Sequence, residues 1–365
     1  MKVKRIIFTV TNDLSYDQRM QRICSTLADA GYDVLLVGRK TKTSLPLSTK
    51  NYKHHRLNCW FVKGKLFYAE FNSRLFIYLL FKKMDCICAI DLDTILPCYY
   101  VSKVKGIKRV YDAHEYFSQL DEVVSRPNIY RFWYRLENKM MPRFKKGYTV
   151  CRSLAEEFKK NYGVNYRVVR NVPLLNHSNE EERPQGIILY QGAVNKGRGL
   201  DKLALAMKNV NAQLWVCGNG NFMGEMKSVV QTNGLSNKVV FYGMLEPREL
   251  KKKTAAAYIA INPFERNGLN QYLSLSNKFF DYIHAGIPQV TMNYPEYRRV
   301  NDQYEIGVLI DDLNPGSIAG AISKLLNDKE LYLKLKQNCL IAKKELNWQN
   351  EKTGLLDFYQ QLFNE

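Results

Sequence analysis

Acidic side chains are in short supply: 35 Asp and Glu stand against 54 Lys and Arg over 365 residues, leaving a net charge of +19. Patterns that bind metals or form disulfides are missing. The eight cysteines include no CxxC pair, and most lie inside apolar runs, as buried, reduced thiols do. The five histidines make no HxxxH and join no Cys/His cluster, which argues against a structural zinc site. Long hydrophobic runs are absent as well. The longest uninterrupted one, residues 75–81, falls far below the ~20 residues that span a bilayer. The apolar stretch 6–10 behind the basic start is too short for a signal peptide, since Asn12 and Asp13 end it. A cytoplasmic chain without a transmembrane helix is therefore expected. No nucleophile elbow or Walker lysine occurs, which argues against hydrolases and ATPases. No RNP, zinc-finger or helix-turn-helix pattern supports nucleic-acid binding.

What is present suits two folded domains. The length favours two over one or three, and 46% apolar residues exclude wholesale disorder. The charge is unevenly placed. Residues 1–170 hold 32 basic and 15 acidic side chains, a net of +17, whereas the remaining 195 are close to neutral. This asymmetry points to a polyanionic partner, nucleic acid or an anionic membrane, for the first half alone. Two stretches there, 66–83 and 126–146, interleave aromatics with Lys and Arg. They suit either an anionic bilayer or ordinary amphipathic helices covering a sheet.

Short apolar runs alternate with helical patterns in both halves. In the first, strands are expected at 5–10, 34–37, 86–90 and 109–111, with helices at 18–30 and 94–105. The second half restarts the alternation, with strands at 186–190, 213–217, 238–241, 257–261 and 289–292. Its helices are expected at 199–209, 222–233 and 277–285, with a long helix from Pro315. The polar stretch 176–185 suits a linker. The fold class is α/β: two doubly wound parallel sheets, with ligands beyond the carboxyl ends of the strands and in a cleft between domains.

The sharpest motif is SNKFFDYIHAGIP at 276–288. Ser276 is a good N-cap, Gly286 a good stop, and Pro288 prevents continuation. The start of such a helix offers amides and a positive dipole end to phosphate, and Lys278 adds a charge. Asp281 lies one turn after Asn277, in reach of ribose hydroxyls. The alternative is a capped helix packing through Phe279, Phe280 and Ile283, and spacing does not separate the two. A second segment, YQGAVNKGRGLD at 190–201, follows a strand and opens a helix. Its glycines, among them Gly192, let backbone approach a ligand, while Lys196 and Arg198 supply charge. A Gly-rich surface turn is the competing reading. Cys217-Gly218-Asn219-Gly220 is a weak dinucleotide fingerprint, because its third glycine, Gly224, comes one position late. In the first half, His114 and Glu115 stand just beyond a strand. Asp91-Leu92-Asp93 matches a metal-binding DxD, although helix capping accounts for it better.

These residues resemble glycosyltransferase family 4, which has the GT-B fold. The likeness runs along the chain through TNDLSYDQRM, DLDTILP, VYDAHEYF, VVRNVP, YQGAVNKGRGL, WVCGNG, VVFYGML and SNKFFDYIHAGIP, in the family's order. It implies two Rossmann-like domains facing across a cleft: an acceptor domain at 1–170 and a nucleotide-sugar domain at 171–345. Residues 346–365 would be a terminal helix crossing back to the first. It also implies a retaining transferase with a nucleotide-sugar as co-substrate and no required metal or other cofactor. By position, Arg198 and Lys278 would neutralise the donor diphosphate with the amides of Ser276 and Asn277, and Asp281 would bind the ribose. Gly192 and Lys196 belong to the same donor loop. Gly218, Asn219, Met244 and Leu245 would line the base pocket, and His114 would face the transferred sugar. Asp17, Arg19 and Glu115 would lie on the acceptor side. Two departures stand out: Leu273 occupies the place of the first acid of the common Glu-x7-Glu pattern, and the Gly-rich first loop is replaced by residues 12–16. Related subgroups with an SNK-type helix also lack that acid.

The leading expectation is a transferase building a surface glycan on a lipid-linked acceptor, peripheral at the inner face of the cytoplasmic membrane and without a nucleic-acid partner. The alternatives are a nucleotide-sugar epimerase of the same fold and a non-catalytic nucleotide-sugar or glycan-binding subunit.

Overall fold

Every strand pairing in the computed structural model is parallel, as buried apolar strands separated by helices require. It describes residues 3–15, 17–42, 44–176 and 183–365, so residues 177–182 of the expected linker lie outside it. The chain forms two units, Met1–Asn171 with Glu351–Glu365, and Val172–Asn350.

The first unit holds β1 (Arg5–Thr9), β2 (Asp33–Lys40), β3 (Lys53–Asn58), β4 (Cys86–Ile90), β5 (Lys108–Ala113), β6 (Gly147–Thr149) and β7 (Arg167–Val168), in the order β3-β2-β1-β4-β5-β6-β7. β4 is wholly buried, and Ile6, Ile7 and Phe8 of β1 are at most 2% exposed. The helices cover the sheet as ordinary amphipathic elements. Gly64–Leu80 buries Phe67, Phe71, Leu75 and Leu79, every fourth residue, so two of the six aromatics of the 66–83 stretch are core, while Phe81 is exposed. Trp133 and Met140 of the helix Pro127–Met140 are core as well.

The second unit holds β8 (Ile187–Gln191), β9 (Gln213–Cys217), β10 (Val239–Gly243), β11 (Ile259–Asn262), β12 (Gln289–Met292) and β13 (Gly307–Ile310), in the order β10-β9-β8-β11-β12-β13. The long helix expected from Pro315 is two helices. Asp328 ends Pro315–Asn327 and caps Lys329–Glu345, its carboxylate accepting the Leu331 amide proton at 2.9 Å. All eight cysteines are free, and only Cys59 is not fully buried.

The final helix, Trp348–Asn364, leaves the second unit and packs on the first sheet. Tyr359 is fully buried, edge-on to Phe8 at 6.1 Å and to Tyr148 at 6.3 Å. Glu351 accepts the Arg170 amide proton, and Glu365 pairs with Lys146 at 2.5 Å. Truncating a buried aromatic of this size costs about 3–5 kcal/mol. Tyr359→Ala should therefore lower the unfolding midpoint in denaturant.

Candidate functional site

Each sheet has one point where its winding reverses, between β1 and β4 in the first unit and between β8 and β11 in the second. Loops leaving those strands diverge and open a crevice at their carboxyl ends. The candidate residues gather at both points.

In the second unit, the loop after β8 depends on glycine. Gly192 has φ +120° and Gly218 φ +150°. A Cβ on Gly218 would collide with the Gly192 carbonyl oxygen, and one on Gly220 with the Val194 carbonyl oxygen. The two loops are laced together: the Gly192 amide donates to the Cys217 carbonyl at 2.9 Å and the Val194 amide to that of Asn219 at 3.0 Å. The glycines of the Cys217–Gly220 segment thus serve backbone against backbone, which is why the fingerprint spacing fails.

Arg198 and Lys278 converge on one aromatic wall. The Arg198 guanidinium carbon lies 4.6 Å from the Phe264 ring centre, and the Lys278 amine lies 4.8 Å from the same ring and 3.9 Å from Tyr190. Lys278 is only 9% exposed. Among the described residues, neither cation pairs with a carboxylate. Burial, reinforced by Arg198, holds the Lys278 ammonium well below the ordinary lysine value. Two basic side chains on one ring beside a helix start suit an anion.

That helix, Asn277–Ala285, begins as expected but is not capped as expected. The Ser276 hydroxyl pairs with Asn262 rather than with the first turn, and its amide donates to the Tyr297 hydroxyl at 3.1 Å. Ser276 therefore shapes the site without offering its amide to a phosphate. Asp281 is oriented by a residue the sequence reading missed. Gln191, 4% exposed, donates to the Asp281 carboxylate at 3.0 Å and accepts from Thr254 at 2.7 Å. A glutamine closing an apolar strand was the available signal. Lys196 does not join this cluster: it pairs with Glu225 at 3.0 Å on the surface. Met244 is 77% exposed, Leu245 packs against the core beside Cys217, and Asn219 accepts the Gly220 amide proton. Leu273 closes the short helix Leu269–Leu273.

In the first unit, Arg19 requires a correction. It is 3% exposed, with its guanidinium on Asp112 at 2.9 Å and on the Val169 carbonyl at 2.9 Å, so it braces the interior and does not face an acceptor. Asp17 caps the helix Gln18–Asp29 by accepting the Met20 amide proton. The other Asp112 oxygen meets His114 Nε2 at 3.0 Å. Burial opposes charge on this ring, but Asp112 and Asp91 outweigh it and raise its pKa to about 8. Glu115 is exposed, and its amide donates to Asp91. The Asp91-Leu92-Asp93 motif neither caps the following helix nor gathers ligands. Asp93 accepts from Thr11, and burial lifts its pKa to about 6. Among the described residues, no three His, Cys, Asp or Glu side chains are grouped to hold a metal.

Two family profiles match in tandem: Glycosyltransferase Family 4 over residues 18–173, and Glycosyl transferases group 1 over residues 175–340. A curated relative, an uncharacterized glycosyltransferase of Methanocaldococcus jannaschii, is 25% identical over 146 residues, 39% of this chain and 36% of its own length. The chain thus spans little more than a third of that relative. Among solved structures, sucrose-phosphate synthase from Thermosynechococcus elongatus superposes with a TM-score of 0.79 at 17% identity, covering 99% of both chains. HepE of Anabaena in complex with UDP-glucose gives 0.74 at 12% identity, covering 99% of this chain and 100% of that one. At these identities the likeness is one of fold.

The unpaired lysine yields a test. Below pH 10.5 the folded chain holds fewer protons at Lys278 than the unfolded chain, so ligand-free stability should rise as pH climbs towards that value. Lys278→Met should flatten this rise and stabilise the ligand-free chain by about 1 kcal/mol.

Proposed function

The chain belongs to glycosyltransferase family 4, and on that premise we propose that it moves a sugar from a nucleoside diphosphate donor onto a lipid-linked glycan acceptor. The observation that carries this reading is the pair Arg198 and Lys278 on Phe264, at the start of a helix whose Asp281 stands one turn on. A diphosphate would sit on the cations and its ribose on Asp281. Gly192 and Asn277 would stand against the phosphates, with Gly218, Asn219 and Leu245 towards the base and Met244 an exposed flank. His114 acts on the transferred sugar in this reading, and Asp17 and Glu115 belong to the acceptor side.

Retention follows from front-face substitution. The anomeric C–O bond to the departing diphosphate breaks, the acceptor oxygen bonds on the same face, and its proton passes to the leaving phosphate oxygen. The protein's contribution is to stabilise the negative charge that grows on the diphosphate, through Arg198, Lys278 and the helix dipole. No metal is invoked. UDP-sugars are the first donors to test, because HepE was solved with UDP-glucose. In thermal-shift screening, the true donor should raise the melting temperature most among UDP- and GDP-sugars. With that donor, Arg198→Ala should lower kcat by about 10²–10³-fold without unfolding the chain. Near-normal turnover by this variant would remove the assignment.

The proposal places the chain at the inner face of the cytoplasmic membrane as a peripheral protein in surface polysaccharide synthesis. No described helix is long and apolar enough to cross a membrane. The support is the basic first unit and what it exposes. Trp60 is 85% exposed, with Val62 and Leu66 also out in solvent beside Lys63 and Lys65. Phe132 stands among exposed Arg131, Arg135 and Lys139 on Pro127–Met140. Tyr68 of Gly64–Leu80 meets Trp133 of Pro127–Met140 edge-on at 5.3 Å, so the two helices touch at these rings. Each cation near an anionic bilayer contributes about 1 kcal/mol. The full chain should sediment with phosphatidylglycerol vesicles, lose that binding in high salt, and ignore phosphatidylcholine vesicles. Arg131→Glu with Arg135→Glu should weaken binding at least tenfold, and equal binding to both lipids would count against the docking.

A further inference from the structure

We infer that Asp91 is a positioning residue for His114: it clamps the backbone that carries the imidazole and keeps the ring in one orientation. The role of that ring at the sugar rests on the transferase reading above, whereas the clamp itself is a property of the first unit. The starting observation is backbone strain. Asp91 sits at φ 54°, ψ 178°, a conformation that side-chain-bearing residues rarely adopt. The only other described non-glycine residue at positive φ, Glu305, merely ends a helix. Strain of this kind persists where the surroundings over-determine it.

The surroundings here are the ends of β4 and β5. The Asp91 amide donates to the Asp112 carbonyl at 3.0 Å. Its Oδ1 accepts the His114 amide proton at 2.8 Å and that of Glu115 at 3.3 Å. Its Oδ2 lies 3.8 Å from His114 Nδ1, too far for a hydrogen bond and close enough for charge to matter. The imidazole is held on its other side by Asp112, which Arg19 fixes in turn. The charged groups facing the ring are Arg19 from the helix Gln18–Asp29, Asp112 and Glu115 from β5 and its loop, and Asp91 and Asp93 from the loop after β4. Acids outnumber the one cation. With Nε2 directed at Asp112, a protonated ring serves as a donor and not as a base.

Accepting two amide protons needs only an acceptor oxygen, which asparagine also has, and asparagine tolerates positive φ. What asparagine lacks is the ionisable carboxyl beside the ring, which burial pushes well above the ordinary carboxylate range while His114 pulls it back down. Asp91→Asn therefore keeps the backbone clamp and removes only the ionisable group beside the ring. In the full chain, the His114 ring signal is assigned by its disappearance in His114→Gln and followed by NMR as pH is varied. The expected result is an unchanged melting temperature and a His114 midpoint lower by about one pH unit. A midpoint that stays in place would overturn the proposal. If Asp91→Asn does not fold, Asp91→Gly, which suits the backbone angle, is read in the same way. With donor and acceptor present, kcat should fall at least tenfold with donor KM unchanged. A rise in donor KM with kcat unchanged would also overturn it. The titration needs no substrate, so it judges Asp91 even if the chain turns over no sugar, an outcome that would instead sink the transferase reading.

Discussion

Winding a parallel sheet outward in both directions from a central strand leaves one crevice that no crossover helix covers, and both units place their chemistry there. In the first, Thr11 after β1 and Asp91 to Asp93 after β4 border the reversal, with His114 one strand further on. In the second, Gly192 to Arg198 after β8 and Phe264 after β11 border it, and the helix Asn277–Ala285 begins beside them. The crevice is imposed by topology, and the residues that fill it determine which ligand it can take.

The two crevices handle charge in opposite ways. In the first unit several buried charges are paired: Arg19 satisfies Asp112, which also meets His114, and Arg56 meets Asp13 at 2.6 Å. A network closed in this way is rigid, since releasing any member leaves a buried charge without a partner. In the second unit Lys278 and Arg198 share an aromatic wall and no carboxylate. Cation–π contact softens the desolvation of the lysine but does not cancel its charge. A buried lysine held in this way would be relieved by an anion, which fits the diphosphate proposed to bind there.

Much of this was legible in the sequence. The apolar alternation located most of the strands, and SNKFFDYIHAGIP located a helix with the predicted start, stop and acid. What escaped has identifiable causes. β6 and β7, at three and two residues, are too short for any periodicity to register. The break at Asp328 was hidden because the residues on both sides are good helix formers. Gln191, Tyr190 and Phe264 were invisible as site residues because an apolar or amide side chain gains its role from what folds against it. Arg19 misled for the converse reason: a cation next to a loop reads as exposed until its buried carboxylate, 93 positions away, is known.

The charge asymmetry takes on a different meaning once the side chains are placed. Some of the first unit's cations are internal. Arg19 is a brace, Arg56 ties Asp13 to Ser15, and Arg39 holds the Val62 carbonyl over Phe67. These cannot attract a distant polyanion, because their fields are cancelled or local. The remainder stand in solvent, several of them next to exposed Trp60, Leu66 and Phe132. A nucleic-acid surface would have cations along a groove, with aromatics available for bases to stack on. Here exposed apolar residues stand beside lysines and arginines, Trp60 and Val62 just before the helix Gly64–Leu80, Leu66 on it and Phe132 on Pro127–Met140, which would suit the proposed interfacial anchor. These residues are the support for the anionic membrane surface proposed as partner.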